Sequence, residues 1–210
     1  MIFKQIQKKG ILPKFLEEAI KILIKKECKQ IEKVNIDIIA SSIQIIKGII
    51  QKITITAKDI NYKDLLFDEI KLESNNIKII FKIKNKEITF KNNFKIKFQI
   101  SLSENSLNTV LTSPHWEWIG NMISREILNE DRLEDLNIKN DQILVKVIKE
   151  KETINHQEKL DLKVEEGKLY LENKNRDKSI KIPMEDEIYI KNAIIENNLI
   201  VIFANSSLSF

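Results

Sequence analysis

The stretch FKIKFQISLSENSLNTVLTSPHWEW, Phe94 to Trp118, changes period within itself. Phe94, Ile96, Phe98, Ile100 and Leu102 alternate strictly with polar residues, which is the pattern of a strand with one buried face and one wet face. Ser103 then stands as an N-cap before ENSLNTVL, whose Leu107, Val110 and Leu111 share one helical side. Ser113-Pro114 reads as the cap and first-turn proline of a second helix, HWEWIGNMISREIL, with Trp116, Ile119, Ile123 and Ile127 in line. Both tryptophans of the chain, Trp116 and Trp118, fall on this helix about 200° apart, so only one can face a given core. A long one-sided strand feeding directly into a helix pair points to an α+β fold.

The same period-two pattern fills most of the 210 residues. VNIDIIASSIQII, IIQKITITAKDI, EIKLESNNIKIIFKI and ITFKNNFKIKFQISL read as strands, with Gly48, Asn75-Asn76 and Asn92-Asn93 as breaks. Beyond Asn129 come DQILVKVIKE, QEKLDLKVEE, GKLYLENK, SIKIP, EIYIKNAIIE and NLIVIFANSSLSF, with hairpins expected across Gly167 and Asn197-Asn198. No Ser/Gly/Pro linker divides the chain, so residues 12–205 read as one domain between an N-terminal arm, 1–11, and a C-terminal tail, 206–210. The expected architecture is a long, curved antiparallel sheet packed around an N-terminal helix and the central helix pair.

That first helix, LPKFLEEAIKILIKKECKQIEKV, carries the chain's charge asymmetry. Residues 1–33 hold nine lysines against four glutamates, whereas the rest holds 26 basic and 27 acidic side chains. Lysine is abundant throughout, as an AT-rich coding sequence would give, so only its placement is informative. Leu16, Ala19, Ile20, Leu23, Ile24, Ile31 and Val34 share one arc; Lys14, Lys21, Lys25, Lys29 and Lys33 oppose it; Phe15 and Ile22 lie on the flank beside the lysines. Like charges at i, i+4 repel by a few tenths of a kcal/mol, so local stability does not account for them. Such a helix can rest at a headgroup boundary. It can equally pack its apolar arc on the sheet with the lysines merely solvated, and the two arrangements are compatible. Glu27 breaks the apolar arc.

Motifs for chemistry are sparse. Gly10, Gly48, Gly120 and Gly167 are isolated, which excludes a P-loop, a dinucleotide loop or a nucleophile elbow. Cys28 is the sole cysteine, so neither an intrachain disulfide nor a Cys-based zinc site can form, in keeping with a reducing compartment. His115-Trp116-Glu117 imitates half of a zinc deaminase signature but lacks the downstream P-C-x-x-C. His156 sits in what reads as a polar strand connection. No catalytic residue, metal ligand or cofactor is expected, and the scarcity of arginine with no aromatic ladder argues against nucleic acid. The N-terminus shows no apolar h-region, so the expectation is a cytoplasmic protein, peripheral on the inner face of a membrane.

Taken together, LPKFLEEAI, IIKGIIQKITITAKDINYKDLLFDEIKLES and FKIKFQISLSENSLNTVLTSP resemble a bacterial domain family grouped with the lipomannan elongation factor A-like phospholipid-binding proteins. The most specific part is Ser103, Glu104, Leu107, Asn108 and Leu111 followed by Ser113-Pro114. A second is the turn Tyr62-Lys63-Asp64-Leu65, where relatives commonly carry Gly in place of Asp64; Asp tolerates the left-handed conformation such a turn demands. The resemblance implies a fold similar to tubular lipid-binding proteins, with phospholipid as partner and acyl chains held in an apolar groove. Joined to the helix reading, it implies docking on an anionic membrane surface. The candidate lipid- and membrane-binding residues are Phe15, Lys21, Ile22, Lys25 and Lys29 on the first helix, Phe94 and Phe98 on a groove wall, and Trp116 or Trp118 at its rim. A membrane-associated scaffold that binds another protein without lipid cargo is the alternative.

Overall fold

A computed structural model describes residues 10–82, 84, 87–130, 132–148 and 155–209. Helix α1 (Ile11–Glu27) is followed by β1 (Gln30–Ile39), the short helix α2 (Ser42–Ile46), β2 (Ile49–Tyr62), β3 (Leu65–Lys82), β4 (Glu87–Phe90) and β5 (Phe94–Ser103). The helical centre comprises α3 (Glu104–Leu111) and α4 (Glu117–Ile123), which runs into a π turn over Ser124–Leu128. Seven strands close the chain: β6 (Asp135–Lys139), β7 (Gln142–Ile148), β8 (Asn155–Glu165), β9 (Lys168–Asn173), β10 (Ser179–Lys181), β11 (Ile188–Glu196) and β12 (Leu199–Leu208). The fold is the expected α+β, antiparallel throughout, and consistent with a tubular lipid-binding architecture. Its strands divide between two sheets. One has the order β1-β2-β3-β5-β12-β11, with β4 added to the far end of β3; the other is β10-β9-β8-β7-β6.

Two creases curl the larger sheet while keeping its apolar face continuous. Along β2 the buried positions Ile53 and Ala57 give way to Ile60, an odd spacing made possible at Asp59, whose φ is +52°. Along β3 the buried positions step from Ser74 to Ile77 across Asn76, with φ +55°. A residue in the left-handed region reverses the pleat, bending the strand as a bulge does. Asn75-Asn76 is therefore not a break: β3 passes straight through it for 18 residues. The Asn92 amide patches the place where β3 changes partner from β5 to β4, accepting from Lys78 N at 2.6 Å and donating to Asn76 O at 3.4 Å.

Several expected boundaries move. The first helix stops at Glu27, and Ile31 and Val34 belong to β1, where they face Ile60 and Ala57. Pairing with a 14-residue neighbour outweighs the helical spacing of those two positions. Ser41 and Gln44, inside a run that alternates like a strand, instead form a reciprocal capping box that starts α2. Ser113 does not cap α4. Its hydroxyl donates to Val110 O at 2.8 Å, finishing α3, and α4 begins three residues beyond Pro114. His156 lies within β8, opposite Val147, rather than in a connection. Strand β12 runs to Leu208, paired with Phe94, through residues expected as tail. Residues 1–9 of the expected arm lie outside the described set. The expected hairpins are present, with positive φ at Glu166 and Gly167 and at Asn197 and Asn198.

The Ser103–Leu111 motif acquires a structural reason. β6 is an edge strand of the smaller sheet, and helix α3 lies along its free side. Glu104 accepts from Ile138 N at 2.7 Å; Asn108 accepts from Leu136 N at 2.8 Å and donates to Leu136 O at 2.7 Å. Four helical residues rise about 6 Å, close to the span of two strand residues, so side chains at i and i+4 meet backbone groups at j and j−2. Leu111 then enters the core beside Leu136, Ile143 and Ile200, with Leu107 packed against it. That core holds the second sheet against the Leu102 end of β5 and against β12.

Candidate lipid-binding site

Among the described residues, what remains of the larger sheet's apolar face is covered by α1, with Ile45 of α2 packed beside it. Pro13, Leu16 and Ala19 of α1 are buried against it, and Glu17 accepts from Ile38 N at 3.0 Å. Toward its C-terminus the helix stands away. Leu23 is 46% exposed although it lies on the predicted apolar arc. Between this half of α1 and the sheet runs an apolar trough in two joined lobes.

The larger lobe, about 530 Å³, has Ile55, Ala57, Phe67, Ile70 and Leu72 of β2 and β3 as floor. Ile96, Phe98 and Ile100 of β5 and Leu208 of β12 form one wall, and Leu23 and Ile24 of α1 the other. The smaller lobe, about 260 Å³, continues over Ile53, Ile77, Phe90 and Phe94. Leu23, Ile24, Ile55, Leu72, Ile96 and Leu208 line both lobes and define a waist. Phe90 and Phe94 pack with ring centroids 5.0 Å apart at the small end.

The trough's charged groups stand at its margins, while Ser206 lines the larger lobe and the buried Ser74, whose hydroxyl donates to Lys95 O at 2.8 Å, lines the smaller. Glu27, Cys28 and Tyr62 line the outer end of the larger lobe and Glu73 borders the smaller. Burial, then the neighbouring Glu27, pushes the Cys28 thiol pKa up, so it remains a neutral thiol that behaves as a small apolar group. Glu27 is an exposed residue at the helix end, which explains how a carboxylate falls on an otherwise apolar arc. Among the described residues no group of three or more His, Cys, Asp or Glu is placed to hold a metal ion.

The outer end is fixed by a polar latch on the Tyr62–Leu65 turn. Lys63 and Asp64 both adopt positive φ, +52° and +66°. Asp64 accepts from Lys29 Nζ at 2.6 Å, lies 3.1 Å from His115 Nδ1, and donates its backbone N–H to Asn61 Oδ1 at 3.1 Å. The Lys29 hydrogen bond, chiefly, draws the Asp64 carboxyl below its ordinary pKa. Trp116 Nε1 donates to Lys63 O at 3.0 Å. The end of α1, the β2–β3 turn and the α3–α4 connection are thus tied together.

The candidate residues fall into three groups. Phe94 and Phe98 lie in the trough wall. Phe15, Ile22, Lys21 and Lys25 lie on the outward side of α1; Phe15 and Ile22 are about half exposed, and Lys29 is engaged with Asp64. Trp116 sits half-buried on the turn at the trough's outer end, while Trp118 projects from α4 and lines neither lobe. The alternation that selects Phe94 and Phe98 equally marks Ile96 and Ile100. Leu208, placed in a presumed tail, was signalled only by the continued run of β12.

The sequence matches the LmeA-like phospholipid-binding family over residues 8–191. The chain belongs to that family. No curated protein and no solved structure matches it. Among the described residues no helix is long and apolar enough to cross a membrane.

Proposed function

We propose that this protein is a non-enzymatic phospholipid carrier that rests on anionic membrane surfaces and holds acyl chains in the trough beneath α1. One observation carries the reading: in a chain of a phospholipid-binding family, the one-sided sheet retains about 530 Å³ of apolar space that its covering helix does not fill. Phe94 and Phe98 serve as wall. The outward side of α1 is the docking face, with Phe15 and Ile22 entering the headgroup region and Lys21 and Lys25 meeting lipid charge. Lys29 adds to the same field while holding Asp64. Trp118, half exposed, supplies an amphipathic ring of the kind that settles at interfaces.

The test has two arms. Native mass spectrometry of gently purified protein should reveal retained phospholipid as added mass. Co-sedimentation with vesicles should rise with phosphatidylglycerol content and fall with salt. Each lysine near an anionic surface contributes about 1 kcal/mol, so reversing Lys21, Lys25 and Lys29 to Glu should weaken vesicle binding more than about a hundred-fold. Binding that ignores both salt and the triple reversal removes the docking face from the proposal. A protein that never carries lipid removes the cargo.

A further inference from the structure

At the α1–α2 end of the molecule, isoleucines face outward in a density that core packing does not explain. Ile11 is 73% exposed, Ile43 65% and Ile46 74%, with Ile39, Ile49 and Ile80 exposed by 39–49%. Ile43 and Ile46 stand i, i+3 on the outer side of α2, while Ile45 between them is buried. Gly10, next to Ile11, lies against Ser42 at the start of α2, so the two helix beginnings form one corner. A stability argument would place polar residues here, as it does on the wet faces of β1 and β2. Single exposed apolar residues are ordinary; a clustered set on one end marks an interaction surface.

We infer that this corner inserts into the bilayer, with Ile43 and Ile46 as the leading side chains. The inference rests on the reading that the protein meets membranes, and it assigns the end that enters. Two features favour lipid as the occupant. The hollow beside Ile46 and Ile80, about 410 Å³, is bordered by Lys47 and Lys91 and, among the described residues, by no acidic one, matching an anionic headgroup layer around an apolar contact. Ile79 lines both this hollow and the smaller lobe of the trough, so the corner adjoins the acyl-chain site. Insertion here would bring bilayer hydrocarbon next to the trough's inner end.

The decisive experiment places p-benzoylphenylalanine at Ile46 in the full chain and irradiates it with and without phosphatidylglycerol/phosphatidylcholine vesicles. The mass of the adduct identifies what lies against the corner. A phospholipid adduct formed on vesicles supports the inference. An adduct with a second copy, or with the chain's own residues 1–9, overturns it, as does the absence of any lipid adduct from vesicle-bound protein. In parallel, Ile43→Asp with Ile46→Asp should lower vesicle partitioning at least about ten-fold, since two apolar groups no longer leave water. Both positions are solvent-facing, and an unchanged melting curve verifies the fold. Unchanged partitioning of the double variant also overturns the inference. Uptake of dihexanoyl phosphatidylglycerol, kept below micelle formation, is measured separately: its failure in the unaltered protein brings down the trough reading, while the Ile46 adduct still decides insertion.

Discussion

Narrowing the waist of the trough tests acyl-chain binding more sharply than abolishing the trough would. Leu72 lies at the waist, paired across β3 with Ile55 on one side and Phe98 on the other, and is only half-buried. Replacing it with Trp fills the passage between the lobes without touching the buried row beneath. A water-sized group occupies about 30 Å³, and a methylene is comparable, so the larger lobe accepts on the order of 17 such groups and the smaller about eight. A twenty-two-carbon chain exceeds what the larger lobe holds, so it must reach through the waist and loses its far end to water in the Leu72→Trp protein. Each displaced methylene costs about 0.8 kcal/mol, so three of them lower affinity roughly fifty-fold. An eight-carbon chain lies within the larger lobe and should change less than about three-fold. Displacement of a fluorescent fatty acid by lysophosphatidylglycerols of the two lengths reads both values, with thermal melts confirming the fold. Equal losses for both lengths, or no loss for the long one, would show that acyl chains do not thread the waist.

Three further outcomes follow from the fold. Gly48→Ala should cost at least about 2 kcal/mol in chemical denaturation, because Gly48 has φ +70° and a Cβ would overlap the Ile79 carbonyl, which the Gly48–Ile79 backbone bond holds in place. Asn108→Ala should cost about 2–3 kcal/mol by leaving Leu136 N–H and C=O without their partners at the covered edge of β6, and Asn108→Asp should recover only the bond from Leu136 N. Acid should weaken the fold through Asp64, Glu69 and Glu73, whose carboxyl pKa values are drawn down by hydrogen bonds from Lys29, Lys71 and Lys52 respectively. Groups with folded pKa values below 3.8 and 4.5 stabilise at neutral pH and lose that contribution as pH falls through the lowered values, so Glu73→Gln should flatten the acid limb of a stability–pH curve measured by urea denaturation.

The strand periodicity carries most of the fold because a half-buried sheet writes its two faces directly into alternate residues. Phe94 to Leu102 is the clearest instance, and its partners in β3 and β12 follow the same rule. The left-handed turn at Asp64 was also legible, since a short polar side chain tolerates that conformation. Misreadings occur where one residue pattern serves two purposes. Asn75-Asn76 carries turn composition, yet Asn76 spends its positive φ on bending a continuous strand. Ser41 and Gln44 fit an alternating run until their side chains reach each other's backbone. The division into two sheets depends on which strand finds β5, a contact between residues a hundred positions apart that no local pattern records. The trough's wall residues were legible for the same reason as the strands. Its volume was not, because volume depends on how far α1 stands from the sheet.

That distance follows from where α1 is fastened. Near its start the helix is held by the buried Leu16 and Ala19 and by Glu17 on Ile38 N. Past its end the chain is held again, by Lys29 N on Asn61 O at 2.8 Å and Lys29 Nζ on Asp64. Leu23 and Ile24 span the gap between the two fastenings, over a floor curled by the Asp59 and Asn76 creases, and cannot sink into it without releasing one end. The half-covered state leaves apolar surface in contact with water, which stability alone would disfavour. For a carrier the same incompleteness has a physical use. An acyl chain leaving a bilayer gives up hydrocarbon surroundings, so a trough lined by Leu, Ile and Phe can receive it at nearly constant free energy, and the lipid can be surrendered again at little cost. A sealed core would have nothing to exchange, and a polar groove would have to replace about 0.8 kcal/mol for every methylene it accepted.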